Sequence, residues 1–188
     1  MNALLEALCS RHSLGARHLL PPGPDDAALA QMAEAALHAP DHGELVPFRF
    51  KVVKTEAARD RLAALFAQAA RDAGKDEAGA ALDAERARQA PVTVAVLARI
   101  DLGHPVVPAH EQWVALGGAL ANFMNAAHAL GFAGKMLSGA KVRHPGLQAA
   151  FCEPGETLVG WIALGRAARP PKSRAPKAQP ADVCKEWT

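Results

Sequence analysis

Four short stretches carry residue types from which a ligand site could be built. Residues 9–13, Cys-Ser-Arg-His-Ser, place Arg11, His12 and Ser13 at the end of an N-terminal helical pattern. An arginine fork beside a hydroxyl makes a phosphate clamp, because its paired N–H groups match phosphate oxygens. Arg11 and His12 would equally well complement the carbonyl end of that helix. Residues 37–53, LHAPDHGELVPFRFKVV, set His38 and His42 around an Ala-Pro-Asp turn. A metal there would want a third ligand, and no HExxH or CxxC spacing supplies one. In KMLSGAKVRHPG, residues 135–146, Ser138 and Gly139 stand among cations, either an anion-binding loop or a solvated helix start. The stretch GRAARPPKSRAPK is a further cationic patch, without the interleaved aromatics that base stacking would use. There is no GxSxG nucleophile elbow, and no GxGxxG turn inside a βαβαβ alternation.

These stretches fall between elements that the apolar pattern defines. A first helix is expected over about 2–11, with Asn2 as N-cap and Leu4, Leu5 and Leu8 on one face. LLPPGPDD reads as a breaker, and Asp25 or Asp26 can cap a second helix that Pro40 stops near His38. PFRFKVVK alternates as a half-buried strand, and Thr55 opens a helix that ends at Gly74. A charged, alanine-rich helix is expected over 76–89, followed by a central strand at 92–100. A long helix over 109–130, a short strand or loop over 132–138, a short helix over 145–151 and a strand in TLVGWIALG complete the pattern. Helices separated by three or four strands make the fold class α+β.

The chain has 188 residues, enough for one domain. It carries 21 Lys plus Arg against 19 Asp plus Glu, and a formal charge of +2 gives no electrostatic case for nucleic acid. Cys9, Cys152 and Cys184 are widely spaced and odd in number, which argues against a disulfide scaffold. The first residues lack the basic start of a signal peptide, so a cytoplasmic location is the expectation. From Trp113 to Gly134 there is no Asp, Glu, Lys or Arg, a length that could span a bilayer. Asn122, Asn125 and His128 nevertheless recur every three residues, and that polar stripe suits a buried helix, not a membrane span. After Arg166 the chain turns proline-rich and basic, either a solvated tail or an arm that docks through Val183 and Trp187.

The order of these motifs resembles the flavin-dependent nitroreductase family, most closely its small YdjA-type branch. The most specific portions are LHAPDH and HEQWVALGGALANFMNAAHALGFAGKMLSGA, and the likeness covers nearly the whole chain. It implies a nitroreductase-like α+β fold with a central, mostly antiparallel sheet flanked by helices. Residues 1–165 would form the FMN-binding domain and 166–188 an arm embracing the partner of an intertwined homodimer. FMN would lie at sites built by both subunits, with NADH or NADPH as donor and a nitroaromatic, quinone or related small molecule as acceptor. By the same resemblance, Arg11, His12 and Ser13 hold the FMN phosphate and ribityl, and His38 and His42 reach the flavin of the other subunit. Met136, Leu137 and Ser138 match a further flavin-contacting stretch, and Lys172 and Arg174 are phosphate partners. Ala126, Ala127, His128, Ala129, Leu130 and Gly131 match a segment that touches the nicotinamide. No residue is assigned as catalytic acid or base. Where the branch has Arg-Arg-Ser, Arg before Ala-Pro-Asp-His, and Trp-Arg-Ser, this chain has His12, His38 and Met136-Leu137. Three lost arginines imply weaker flavin retention, and the alternative is a non-catalytic ligand-binding dimer of the same fold.

Overall fold

Valine-rich sequence at Val92–Ala98 gives strand β3, and all seven of its residues are buried. Alternate side chains enter opposite cores. Val92, Val94 and Val96 pack with Met32, Phe123 and Ile162, whereas Ala95 and Leu97 pack with Leu62, Leu147 and Trp161. Both faces of the strand are therefore covered, as its nearly continuous run of β-branched and apolar residues requires. The computed structural model describes residues 2–170 and 178–187.

The sheet has five strands in the order β1-β5-β3-β2, with β4 also on β5, and every pairing is antiparallel. Strands β1 (Leu19–Leu20), β2 (Phe48–Val53), β4 (Ala133–Leu137) and β5 (Thr157–Ala167) join β3. Strand β5 pairs with β3 along Thr157–Leu164, with β4 along Trp161–Gly165 and with β1 along Arg166–Ala167. Leu19 and Leu20, expected as part of a breaker, are thus a strand. Two residues are too few to show alternation, and their pairing comes entirely from the distant end of β5.

Helices α2 (Asp26–Leu37) and α5 (Ala109–Ala129) cover one face, with α3 (Glu56–Asp72) and α6 (Pro145–Phe151) on the other. Helix α4 (Glu77–Arg88) packs on α3 through Ala67, Ala70 and Ala80. The expected caps Asp25 and Thr55 accept from the backbone N–H of Ala28 and Ala58, and Asp76 caps α4 in the same way through Gly79. Helix α1 (Ala3–Ser10) is capped by Asn2, but its leucine face finds no core: Leu4, Leu5 and Leu8 are all exposed. A short helix α7 (Pro180–Val183) follows in the tail.

Strand β4 lies tight on β5 because two glycines permit it. A Cβ on Gly134 would come within 2.5 Å of the Ala163 carbonyl oxygen, and one on Gly160 would run into that of Leu137. On the helix side, Asp83 of α4 is 6% exposed and accepts from Lys75 and Lys141, each at 2.8 Å. Burial alone would raise its pKa, but the hydrogen bonds from Lys141 and Lys75 outweigh that and hold it below the ordinary 3.8.

Two stability predictions follow from these contacts. Gly160→Ala should cost about 1–3 kcal/mol in urea unfolding, the range for overpacking a closed site. Asp83→Ala should cost about 1–2 kcal/mol near pH 7, since it removes a carboxylate bonded to two ammonium groups that water still reaches. A carboxyl depressed in the folded state adds stability above its unfolded value and loses it as pH falls through the folded one. The gap between wild type and Asp83→Ala should therefore be complete at pH 6 and shrink below pH 3.8.

Candidate functional site

Where α1 ends, the chain turns and runs along β4. The Leu14 N–H donates to the Gly134 carbonyl at 3.0 Å, and Ser13 forms a parallel bridge with Gly134. Side chains 11 to 14 consequently point into two different hollows. Arg11, His12 and Leu14 line a cavity of about 200 Å³ together with Ala127, His128 and Gly131 from the end of α5. The Arg11 Nε donates to Asn125 Oδ1 at 3.1 Å, and Ser10 Oγ lies 3.2 Å from His128 Nε2. His12 Nδ1 is 2.5 Å from the Ser10 carbonyl oxygen. The polar stripe of α5 thus faces the turn that carries Arg11.

Ser13 opens onto the second hollow, a groove of about 470 Å³ that also contains Arg17, His18, Arg86, Lys135 and Arg169. Arg17 Nε donates to His18 Nε2 at 3.0 Å, and an Arg169 nitrogen lies 3.1 Å from the same atom. Burial first, then the charges of Arg169 and Arg17, lower the His18 pKa. A neutral imidazole between two guanidiniums leaves the groove cationic through its arginines and lysine.

This groove shares Ala16, Arg86 and Leu137 with a cavity of about 290 Å³ on the α3–α4 side of the sheet. Ser138 and Lys141 lie at its rim, and Phe66 and Trp161 form apolar wall. The Trp161 indole N–H is buried and has no hydrogen-bond partner among the described residues. Ser138 Oγ donates to the Val159 carbonyl at 2.8 Å. Met136, one residue from Leu137 and so on the other face of the strand, packs into the core beneath α5 instead. Of the expected 136–138 stretch, only Leu137 and Ser138 line this cavity.

His38 and His42 stand apart from these hollows. His38 caps the end of α2, and its Nε2 is 3.4 Å from Glu34 one turn earlier. His42 Nδ1 lies 2.7 Å from Glu111 Oε2, in the first turn of α5. The backbone around it is strained: Gly43, Glu44 and Val46 all have left-handed φ, at 76°, 52° and 48°. A β-branched residue avoids that region unless its surroundings impose it. Here the Val46 N–H donates to Asp41 at 2.7 Å, and Arg49 donates to the Val46 carbonyl at 2.8 Å.

Within the segment expected to meet a nicotinamide, Ala127, His128 and Gly131 line the first cavity, Ala126 and Leu130 pack on the core and Ala129 is exposed. Lys172 and Arg174 lie outside the described residues. Lys135 and Arg169 belong to the two cationic stretches visible in the sequence, whereas Arg17 and Arg86 look like scattered surface cations until the fold lines one groove with all four. Sequence inspection missed the Glu111 partner of His42. Asn125 was visible as part of a stripe, but its contact with Arg11 was not.

The nitroreductase family model matches residues 8–166. The "Putative NAD(P)H nitroreductase YdjA" of Escherichia coli K12 is 35% identical over 164 residues, 86% of each chain. A Haemophilus influenzae protein, "Putative NAD(P)H nitroreductase", is 31% identical over 150 residues, 79% of this chain and 81% of its own. Among solved structures, a nitroreductase-like family protein from Bacillus cereus superposes with a TM-score of 0.81 at 19% identity, covering 100% of this chain and 97% of that one. A "putative nitroreductase in complex with fmn" from Desulfovibrio desulfuricans gives a TM-score of 0.72 at 23% identity over 100% of this chain and 98% of that one. The α+β fold is the nitroreductase fold, and the chain belongs to the nitroreductase family.

Proposed function

We propose that this protein binds FMN and is an oxidoreductase that passes electrons from NADH or NADPH to a nitroaromatic, quinone or related small-molecule acceptor. The observation that carries this reading is the cationic groove running into an apolar cavity. That combination fits one ligand with an anionic tail and a flat ring system, which is the shape of FMN. Ser13, Arg17, Arg86 and Lys135 would surround the phosphate and ribityl, with Arg11 at the neighbouring end of the same turn. Leu137, Ser138 and Trp161 would meet the ring. FMN, when bound, supplies the hydride chemistry; the protein supplies placement, exclusion of water and charge. The FMN complex of the Desulfovibrio structure and the NAD(P)H nitroreductase name of the Escherichia coli relative support the same reading.

A homodimer belongs to this proposal, with residues 1–165 as the binding domain and 166–188 as an arm on the partner. Its support is apolar surface that one chain leaves bare: Leu4, Leu5 and Leu8 on α1, Trp113 and Val114 on α5, and Trp187, which is 96% exposed. One observation favours a dimer that has lost its flavin. His12 is turned onto the Ser10 carbonyl and His38 onto Glu34, so neither offers a free fixed cation in place of the arginine it replaces.

The absorption spectrum of the purified full-length protein, before and after addition of FMN, decides between the two. Bound flavin is the expected result, and Lys135→Ala, which removes a cation lining the groove, should lower FMN affinity about tenfold, as loss of a charged hydrogen bond does. Unchanged affinity would remove Lys135 from the site. A protein that cannot take up FMN would overturn the enzyme reading in favour of the non-catalytic dimer.

A further inference from the structure

Two arginines converge on one uncharged atom in the cationic groove. Arg17 Nε donates to His18 Nε2 at 3.0 Å, and the Arg169 guanidinium reaches the same nitrogen at 3.1 Å. A guanidinium has no lone pair to offer, so Nε2 accepts and the neutral ring carries its single proton on Nδ1. Burial of the ring, then the charges of Arg169 and Arg17, favour that neutral form and hold the pKa below the ordinary 6.5. One lone pair cannot align with two donors at once, and the two guanidiniums repel each other across it. The backbone nevertheless brings them together. His18 N–H donates to the Gly15 carbonyl at 2.9 Å, and the His18 carbonyl accepts from Ala168 N–H at 2.9 Å, next to the pairing of Leu19 with Ala167. That pairing sets Arg169 beside the short turn Ala16–His18.

The other charged groups of the groove are cations as well: Lys135 from β4 and Arg86 from α4. Arg166 on β5 is turned away and donates to the Leu130 and Gly131 carbonyls. No carboxylate lines the groove among the described residues. Cations gathered without a counter-charge suit an anion, and a dianion with several oxygens can accept from both arginines separately.

We propose that His18 is a proton-linked ligand of a dianionic phosphate in this groove: the anion takes over Arg17 and Arg169, and the freed Nε2 takes up a proton and donates it to a phosphate oxygen. For the identity of that anion, the FMN phosphate, the inference rests on the function proposed above. The proton comes from solvent, one for each anion bound, and returns there when the anion leaves. Nδ1 keeps its own proton throughout, so the ring becomes an imidazolium. Neutral, His18 lets two arginines share a small space; protonated, it adds a third charged donor to the anion. Because binding takes up a proton, affinity falls as pH rises.

Sulfate is the first probe, since it is a dianion of phosphate shape that does not titrate near neutrality, whereas a phosphate monoester does. Calorimetry of the full-length protein in buffers of different ionisation enthalpy should show proton uptake with sulfate. At constant ionic strength, sulfate affinity should fall about fivefold between pH 6.5 and about pH 8, within the limit of one linked proton. His18→Gln keeps an acceptor for the arginines but takes up no proton, so both the uptake and the pH dependence should disappear. Nitrogen NMR of histidine-labelled wild type should show the His18 titration moving to higher pH with sulfate and with FMN. Riboflavin, which has the same ring system and no phosphate, should leave it in place. A His18 titration unmoved by both anions, or wild-type proton uptake retained in His18→Gln, would overturn the proposal. FMN binding that leaves His18 unmoved would also overturn it while keeping the flavin reading. A protein that takes up a proton with sulfate and binds no FMN would overturn the flavin reading and keep His18 as an anion ligand.

Discussion

The close approach of β4 to β5 governs everything around the candidate site. Two strands at ordinary spacing would tolerate side chains at every position, but Gly134 and Gly160 meet opposing carbonyls so closely that neither accepts a Cβ. That contact fixes which face each β4 residue takes: Met136 goes into the α5 core, and Lys135 and Leu137 go to the hollows on the far side. It also offers the Gly134 carbonyl to Leu14, which lays residues 13 and 14 along the strand. The placement of Ser13 therefore depends on glycines more than a hundred residues away.

Charge is arranged locally, against a nearly neutral total of +2. Asp83 gathers Lys75 and Lys141 at one end of the apolar cavity, with Arg86 farther off at 3.7 Å. The buried carboxylate neutralises the two lysines it binds, while Arg86 also faces the groove. On the opposite wall, His18 is held neutral between Arg17 and Arg169 and separates two like charges. The groove is thereby cationic without being a run of lysines.

Much of the fold was legible because periodicity and caps act locally. Asp25 and Thr55 precede their helices in the sequence as they do in space, and the nearly continuous β-branched and apolar run at 92–98 suits a strand covered on both faces. β1 escaped notice because two residues carry no period. The site was legible only in part. Ser13, Ser138 and Arg11 stood out by type and neighbours, but the cations of the groove come from four separate elements and look individually like solvated surface. Arg11, His12 and Ser13 are adjacent in sequence and invited a single role. An extended backbone at Arg11, with ψ of 122°, and the strand-like pairing at Ser13 send neighbouring side chains to different hollows.

Helix α5 connects these observations in a way that bears on how a ligand could be shared. Near its start Glu111 holds His42, and near its end Asn125 holds Arg11. Fourteen residues of α-helix separate the two anchors, about 21 Å at 1.5 Å per residue. A rigid helix of 21 residues with a buried stripe cannot shorten that span. If one flavin is to meet both an Arg11 and a His42, as the family resemblance implies, a single chain is poorly shaped to supply them at close quarters. Two copies set side by side in opposite directions remove the difficulty, because the end of one α5 then lies near the start of the other. The bare apolar residues Trp113 and Val114 near the start of α5, and Leu4, Leu5 and Leu8 on the helix beside its end, are placed where such a pairing would cover them. The same long helix that fills one side of the core thus holds the contacts of Glu111 and Asn125 about 21 Å apart, the spacing that the proposed dimer would bridge.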